Sequence, residues 1–265
     1  MPLLCGVRGN QGLFVVAVIV LALVLAIGAS SLVIALTPAV LLLIAGYGSL
    51  WRSRPGRAWT EVHLAWHRRR RNRVLADYQA GDRNAAARLV WYPTGEQALR
   101  PTRAGNAFAA LAQRVTARHG LDLPSCWPLL EQASERMARQ DLEKLSERLD
   151  NRIINLLWTL LTIAWIPLLP PRLGLALAAA CLLIAIFLWL SISSAVEQYC
   201  TLVEALVVVQ RHRMYRAAGW PAPTSVLAEP ALGRCLTAYL TRRGNQEATK
   251  HLPGVQLSWP DVDDA

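Results

Sequence analysis

The chain has 265 residues, 54% of them hydrophobic and 17% charged, with a formal net charge of +10. A soluble domain carries roughly 25% charged residues, so the composition excludes an ordinary water-soluble globule for at least part of the chain. Lys144 and Lys250 are the only lysines among 28 cations, and where the arginines lie decides whether the basic balance serves nucleic acid, an anionic surface or membrane topology.

Residues 9–51 carry no charge and are bracketed by Arg8 and Arg52. A helix rises about 1.5 Å per residue and the hydrocarbon core is about 30 Å thick, so this stretch is about twice what one crossing needs. Arg8 at one end and Arg52, Arg54 and Arg57 at the other favour the same, cytoplasmic face for both ends. Residues 1–51 therefore predict a membrane hairpin that turns between Gly28 and Pro38. Gly28-Ala29-Ser30-Ser31 balances the two spans, and Thr37-Pro38 has the form of an N-cap followed by proline. A second reading takes Arg8, the apolar stretch and the small residues near Gly28 as a cleaved secretory signal, which leaves residues 30–51 as a span and the later topology unchanged.

Residues 52–128 predict a cytoplasmic helical domain. Its first helix leaves the membrane and ends at Gly81-Asp82. The run Arg68, Arg69, Arg70, Arg71 and Arg73 reads as a collar for anionic lipid headgroups. No nucleic-acid fold signature or aromatic stacking pattern accompanies it, so no nucleic-acid partner is expected. His63 and His67 share a helix face at a spacing that can hold a metal. No carboxylate or cysteine stands at a matching position and the surroundings are cationic, so no metal site is expected. Further on, Pro101 breaks the chain, Thr102 caps, a helix runs from Arg103 to about Arg118, and Gly120 stops it. Arg100, Arg103, Asn106 and Trp127 mark a candidate ligand or partner face, since a helix N-terminus beside arginines suits an anion; the plainer reading is a capped turn. Trp127-Pro128 reads as another turn.

Residues 129–218 predict a long-helix hairpin. A helix starting at Leu129 runs into a third span (about 153–169), Pro170-Pro171-Arg172 makes a tight external turn, and a fourth span (about 173–196) returns. Leu142, Leu145, Leu149 and Ile153 form one apolar stripe, and Leu202, Leu206 and Val209 another. The two helices would extend as a stalk about 30 Å beyond the membrane. Residues 219–265 predict a cytoplasmic tail with one short helix, about 229–243, and an acidic end. The expected fold class is thus an all-α membrane protein: four transmembrane helices in two hairpins, a cytoplasmic helical domain, and a stalk extending spans three and four.

The chain carries no nucleophile elbow, phosphate loop, metal-ligand cluster or paired-carboxylate arrangement, so no catalytic residue and no cofactor is expected. The five scattered cysteines lack paired spacing and read as reduced thiols. Asn155, Thr159 and Thr162 form one polar stripe on span three, and Ser191 and Ser194 lie at matching depth on span four. They read either as hairpin glue, bonding Asn155 to Ser194 and Thr159 to Ser191, or as the lining of a polar path in an oligomer. Glu197 and Glu204, seven apart, share a face and could ring the inner mouth of a homo-oligomer, or pair with Arg211 or Arg213.

At "RPTRAGNAFAA", "HGLDLPSCWPLL" and "YRAAGWPAPTSVLAEPALGRCLTAYL" the chain resembles a group of actinobacterial multi-pass membrane proteins that pair two membrane hairpins around a Pro-Thr-Arg-x-Gly-Asn segment and a later Trp-Pro turn. The resemblance spans about residues 51–240. It implies the architecture and no activity. The functional expectation is a non-enzymatic, multi-pass plasma-membrane protein with both termini cytoplasmic, forming an oligomeric effector or channel-like assembly under control of its cytoplasmic domain. The alternative is a membrane-anchored scaffold that recruits a cytoplasmic protein.

Overall fold

The computed structural model describes residues 11–48, 51 and 53–241. Cys5, Arg8, Arg52, Lys250 and the acidic tail lie outside the described residues. Every regular element among them is helical: α1 Gln11–Ile44, α2 Arg54–Gln79, α3 Arg83–Leu89, α4 Arg103–His119, α5 Leu123–Ala133, α6 Arg136–Thr162, α7 Pro171–Ala217 and α8 Glu229–Leu240, with short 3₁₀ turns at Glu96–Ala98 and Ile163–Leu168. Among the described residues, three helices are long and apolar enough to cross a membrane: Phe14–Ile44, Arg136–Leu168 and Pro171–Ala217.

The chain divides into two compact bodies, Met1–Leu41 with Ile153–Leu188, and Leu42–Arg152 with Trp189–Ala265. The first body turns its large apolar side chains outward: Phe14 is 70% exposed, Leu175 74% and Phe187 69%. Such a surface is unsuited to water and suited to lipid, where the helix satisfies its own backbone.

The expected turn between Gly28 and Pro38 is replaced by unbroken helix, because α1 runs its 34 residues without interruption. The small polar residues that read as turn formers bond inside the helix instead. Ser30 Oγ donates to the Ala26 carbonyl and Thr37 Oγ1 to the Val33 carbonyl, each at 2.9 Å. Pro38 stands within α1, a placement that apolar spans tolerate.

The second body is a helical domain. α2 starts with Ser53 as N-cap, whose side chain accepts from the Gly56 N–H, and Gly81, at φ 93°, follows its end. α4 begins and ends as the sequence predicts: Thr102 accepts from the Gly105 N–H, and Gly120 closes the helix in the left-handed region at φ 69°. Pro128 does not make a turn; it lies inside α5, which Asp122 caps and Pro124 opens. The helix predicted from Leu129 into the third span is broken, since Ser134 takes an extended conformation (ψ 140°) between α5 and α6. Span three reaches Leu168, close to the predicted end, but from Ile163 it tightens into 3₁₀ around Pro167, which supplies no backbone donor.

The domain core is built on the inner half of α7, where Ile192, Val196, Cys200, Val203, Val207 and Met214 are each at most 2% exposed. Of the predicted stripe, Leu206 is buried at 5% exposure and Leu202 is half-buried, whereas Val209 is 68% exposed and its place is taken by Val203 and Val207. The C-terminal helix α8 docks on the end of α4 and on α5. Beneath it, buried Glu229 accepts from His119 Nδ1 at 2.7 Å and pairs with Arg211 at 2.9 Å. Cys126, Cys181, Cys200 and Cys235 are buried free thiols. Burial pushes the Cys126 thiol up to about 11, which keeps it protonated and unreactive.

Candidate ligand groove

The segment Pro101-Thr102-Arg103-Ala104-Gly105-Asn106 fastens the start of α4 to the end of α1. Thr102 Oγ1 donates to the Ile44 carbonyl. Asn106 is 1% exposed. Its Oδ1 accepts from the Arg100 N–H at 2.8 Å, and its Nδ2 donates to the Arg100 and Thr102 carbonyls at 2.9 Å each. Its hydrogen-bonding capacity is thus directed at backbone. Of the candidate face, then, Asn106 is internal structure. Arg100 stacks over the Tyr47 ring at 4.4 Å, Trp127 is half-buried on α5, and Arg103 is exposed.

The two acidic candidates are held by arginines of α4 that the sequence did not suggest. Glu197 pairs with Arg103 at 2.6 Å. Glu204 receives Arg114 in a two-pronged grip, from Nε at 3.0 Å and Nη2 at 2.7 Å, and Arg118 at 2.9 Å. Arg211 and Arg213 instead meet Glu229 and Glu135. The partners lie 86 to 94 residues apart, a separation no local pattern reveals.

In the polar stripe, Thr159 donates to the Asn155 carbonyl and Thr162 to the Trp158 carbonyl, each at 2.8 Å within its own helix. Asn155 and Ser194 are exposed. The carbonyl of Ser191 accepts from Arg152 at 2.6 Å.

The collar arginines separate into different environments. Arg69 and Arg73 are exposed, and Arg68 is paired with Glu96 at 3.5 Å. Arg71 donates to the Thr94 carbonyl. Arg70 lies over the Trp66 ring at 5.1 Å. On the same helix, Trp59, Val62 and Trp66 recur at i, i+3 and i+7, one face of an α-helix, and are 61%, 68% and 51% exposed.

That face lines a groove of about 600 Å³. Its walls include four tryptophans, Trp51, Trp59, Trp66 and Trp189, and its polar members include Arg70, Arg103 and His67. Trp51 is anchored by its indole N–H on the Leu43 carbonyl at 3.0 Å. His63 stacks near Trp59 at 4.8 Å and His67 meets Trp66 edge-on at 4.7 Å. His67 is 3% exposed, yet its Nδ1 has no hydrogen-bond partner. Burial first, and then the charges of His63 and Arg70, hold its pKa down to about 4, so the ring is neutral at pH 7.

The tryptophan wall is what reasoning from sequence missed. The i, i+3, i+7 spacing of Trp59, Val62 and Trp66 was available; the arrival of Trp189 from α7 was not. Among the described residues no cluster of three or more histidine, cysteine or acidic residues could hold a metal ion. No protein family matches the chain, and no curated protein or solved structure matches it either.

Proposed function

We propose that this chain is a non-enzymatic membrane effector whose helical domain, on the cytoplasmic face, governs the packing of its spans within a homo-oligomer. One observation carries the reading. α7 is a single helix of 47 residues whose first half is apolar and whose second half forms the core of the domain. A helix without a break couples what happens at one end to the other. The Arg103–Glu197 and Arg114–Glu204 pairs fix α4 to that same helix, so a change in the domain acts directly on α7. The exposed arginines of α2 support placing the domain on the cytoplasmic side, facing anionic headgroups of the plasma membrane. With three crossings the N-terminus then falls on the opposite face from the domain, whereas two hairpins would keep both termini together.

The test is membrane potential in bacteria expressing the chain, read with a voltage-sensitive dye at matched membrane abundance. Arg114→Glu, which sets two carboxylates against each other, is expected to change the potential relative to wild type. The exchanged pair Arg114→Glu with Glu204→Arg is expected to move it back. A potential that none of the three proteins alters would overturn the effector reading in favour of a scaffold that recruits a cytoplasmic protein.

A further inference from the structure

The groove has three properties that together define a ligand. Its floor and rim are aromatic, which suits an acyl chain or the interfacial part of a lipid. Trp189 and Leu190 contribute to it, and both are exposed apolar side chains. Its cation is Arg70. Arg103 is engaged by Glu197 at 2.6 Å, while no described carboxylate pairs with Arg70, which only rests on Trp66. An arginine in that state seeks a phosphate. Lastly, His67 brings an unmet polar atom. Nδ1 has no hydrogen-bond partner although the residue is 3% exposed. A neutral imidazole has one donor and one acceptor nitrogen, and a hydroxyl can serve whichever of the two Nδ1 presents. A buried polar atom without a partner is costly, so the groove favours a ligand that brings a hydroxyl.

We propose that the groove is a specific site for one anionic phospholipid with a hydroxyl on its headgroup, phosphatidylglycerol being the simplest: the phosphate meets Arg70, the headgroup hydroxyl meets His67 Nδ1, and an acyl chain lies along Trp59, Val62 and Trp189. The proposal rests on reading the chain as a membrane protein. It differs from a general collar because Arg69 and Arg73, equally charged and exposed, do not line the groove.

The test uses the full chain in a neutral detergent, with lipids retained after dilution read by native mass spectrometry. Equal amounts of phosphatidylglycerol, phosphatidylethanol (the same charge without a headgroup hydroxyl) and phosphatidylcholine are offered. Wild type is expected to keep one phosphatidylglycerol, on the order of tenfold over phosphatidylcholine for the charge-assisted contact and about fivefold over phosphatidylethanol for the hydroxyl. Arg70→Gln should lose the first preference. His67→Phe should lose the second and keep the first. Arg69→Gln should lose neither. Trp59→Ser changes an exposed rim residue that the fold does not depend on, and should weaken retention of all three lipids without changing their order. Equal retention of phosphatidylglycerol and phosphatidylcholine by wild type would sink the proposal, as would an Arg69→Gln effect equal to that of Arg70→Gln. Displacement of the lipid by an equal concentration of glycerol 1-phosphate would reassign the site to a soluble phosphate. Release of the chain from membranes by alkaline carbonate would instead overturn the membrane reading beneath it.

Discussion

Asn106 illustrates how one residue is read differently by sequence and by structure. At the fourth position of a helix beside two arginines it reads as a ligand contact, yet its amide is consumed by the Arg100 and Thr102 backbone. Replacing it by leucine leaves the Arg100 N–H and carbonyl without their partner, while the Thr102 carbonyl keeps the backbone N–H of residue 106. Asn106→Leu is expected to lower stability by roughly 2–4 kcal/mol, measured by thermal unfolding of the detergent-solubilised protein. The neighbouring Gly105 has a related reason, since a Cβ there would stand 2.4 Å from the Ala45 carbonyl oxygen. The quoted Pro-Thr-Arg-x-Gly-Asn segment was thus legible as a special place but not as a backbone fastener. Burial side is decided by α1, which lies about 60 residues away in the chain. His67 gives a second residue-scale prediction. Its unfolded imidazole takes up a proton near pH 6.5 and the folded one only near 4. Between those values the unfolded state binds more protons, so stability rises with pH across that window and is level above it. Unfolding midpoints recorded from pH 4 to 8 should show this slope, and His67→Phe should flatten it.

At the scale of elements, helix existence was legible because apolar runs and caps are local signals. Thr102 and Gly120 bound α4 where the sequence places them, and α8 starts at Glu229. The failures have a common cause: residues with two compatible roles. Ser30, Thr37 and Pro38 can end a helix or be absorbed by one, and within an apolar α1 they are absorbed. Pro128 sits inside α5, where a turn was expected. The contact between α4 and α8 depends on something a single chain pattern cannot display, the absence of side chains on both surfaces. A Cβ on Gly233 would lie 1.9 Å from the His119 carbonyl oxygen, and one on Gly120 would lie 2.0 Å from that of Pro230. Gly233→Ala is therefore expected to detach α8, because neither backbone can yield. Limited proteolysis should then cut between residues 218 and 241 many times faster than in wild type, while α7 stays protected.

For the whole molecule, composition and charge placement were enough to say membrane and all-helical, and three long apolar helices agree with that. They were not enough to count crossings in residues 9–51, since a stretch twice the needed length satisfies both a hairpin and one tilted helix of about 50 Å. α7 carries a further consequence. An unhinged helix is a screw as well as a rod, with about 100° of turn per residue. The side chains it buries in the domain, from Ile192 to Met214, are therefore locked in angular phase. One residue inserted near Val203 would swing the buried side chains after it about a quarter turn or more from those before it, whereas seven would bring them nearly back into line. The sequence of α7 is in this sense a clock setting, and its length matters less than its remainder.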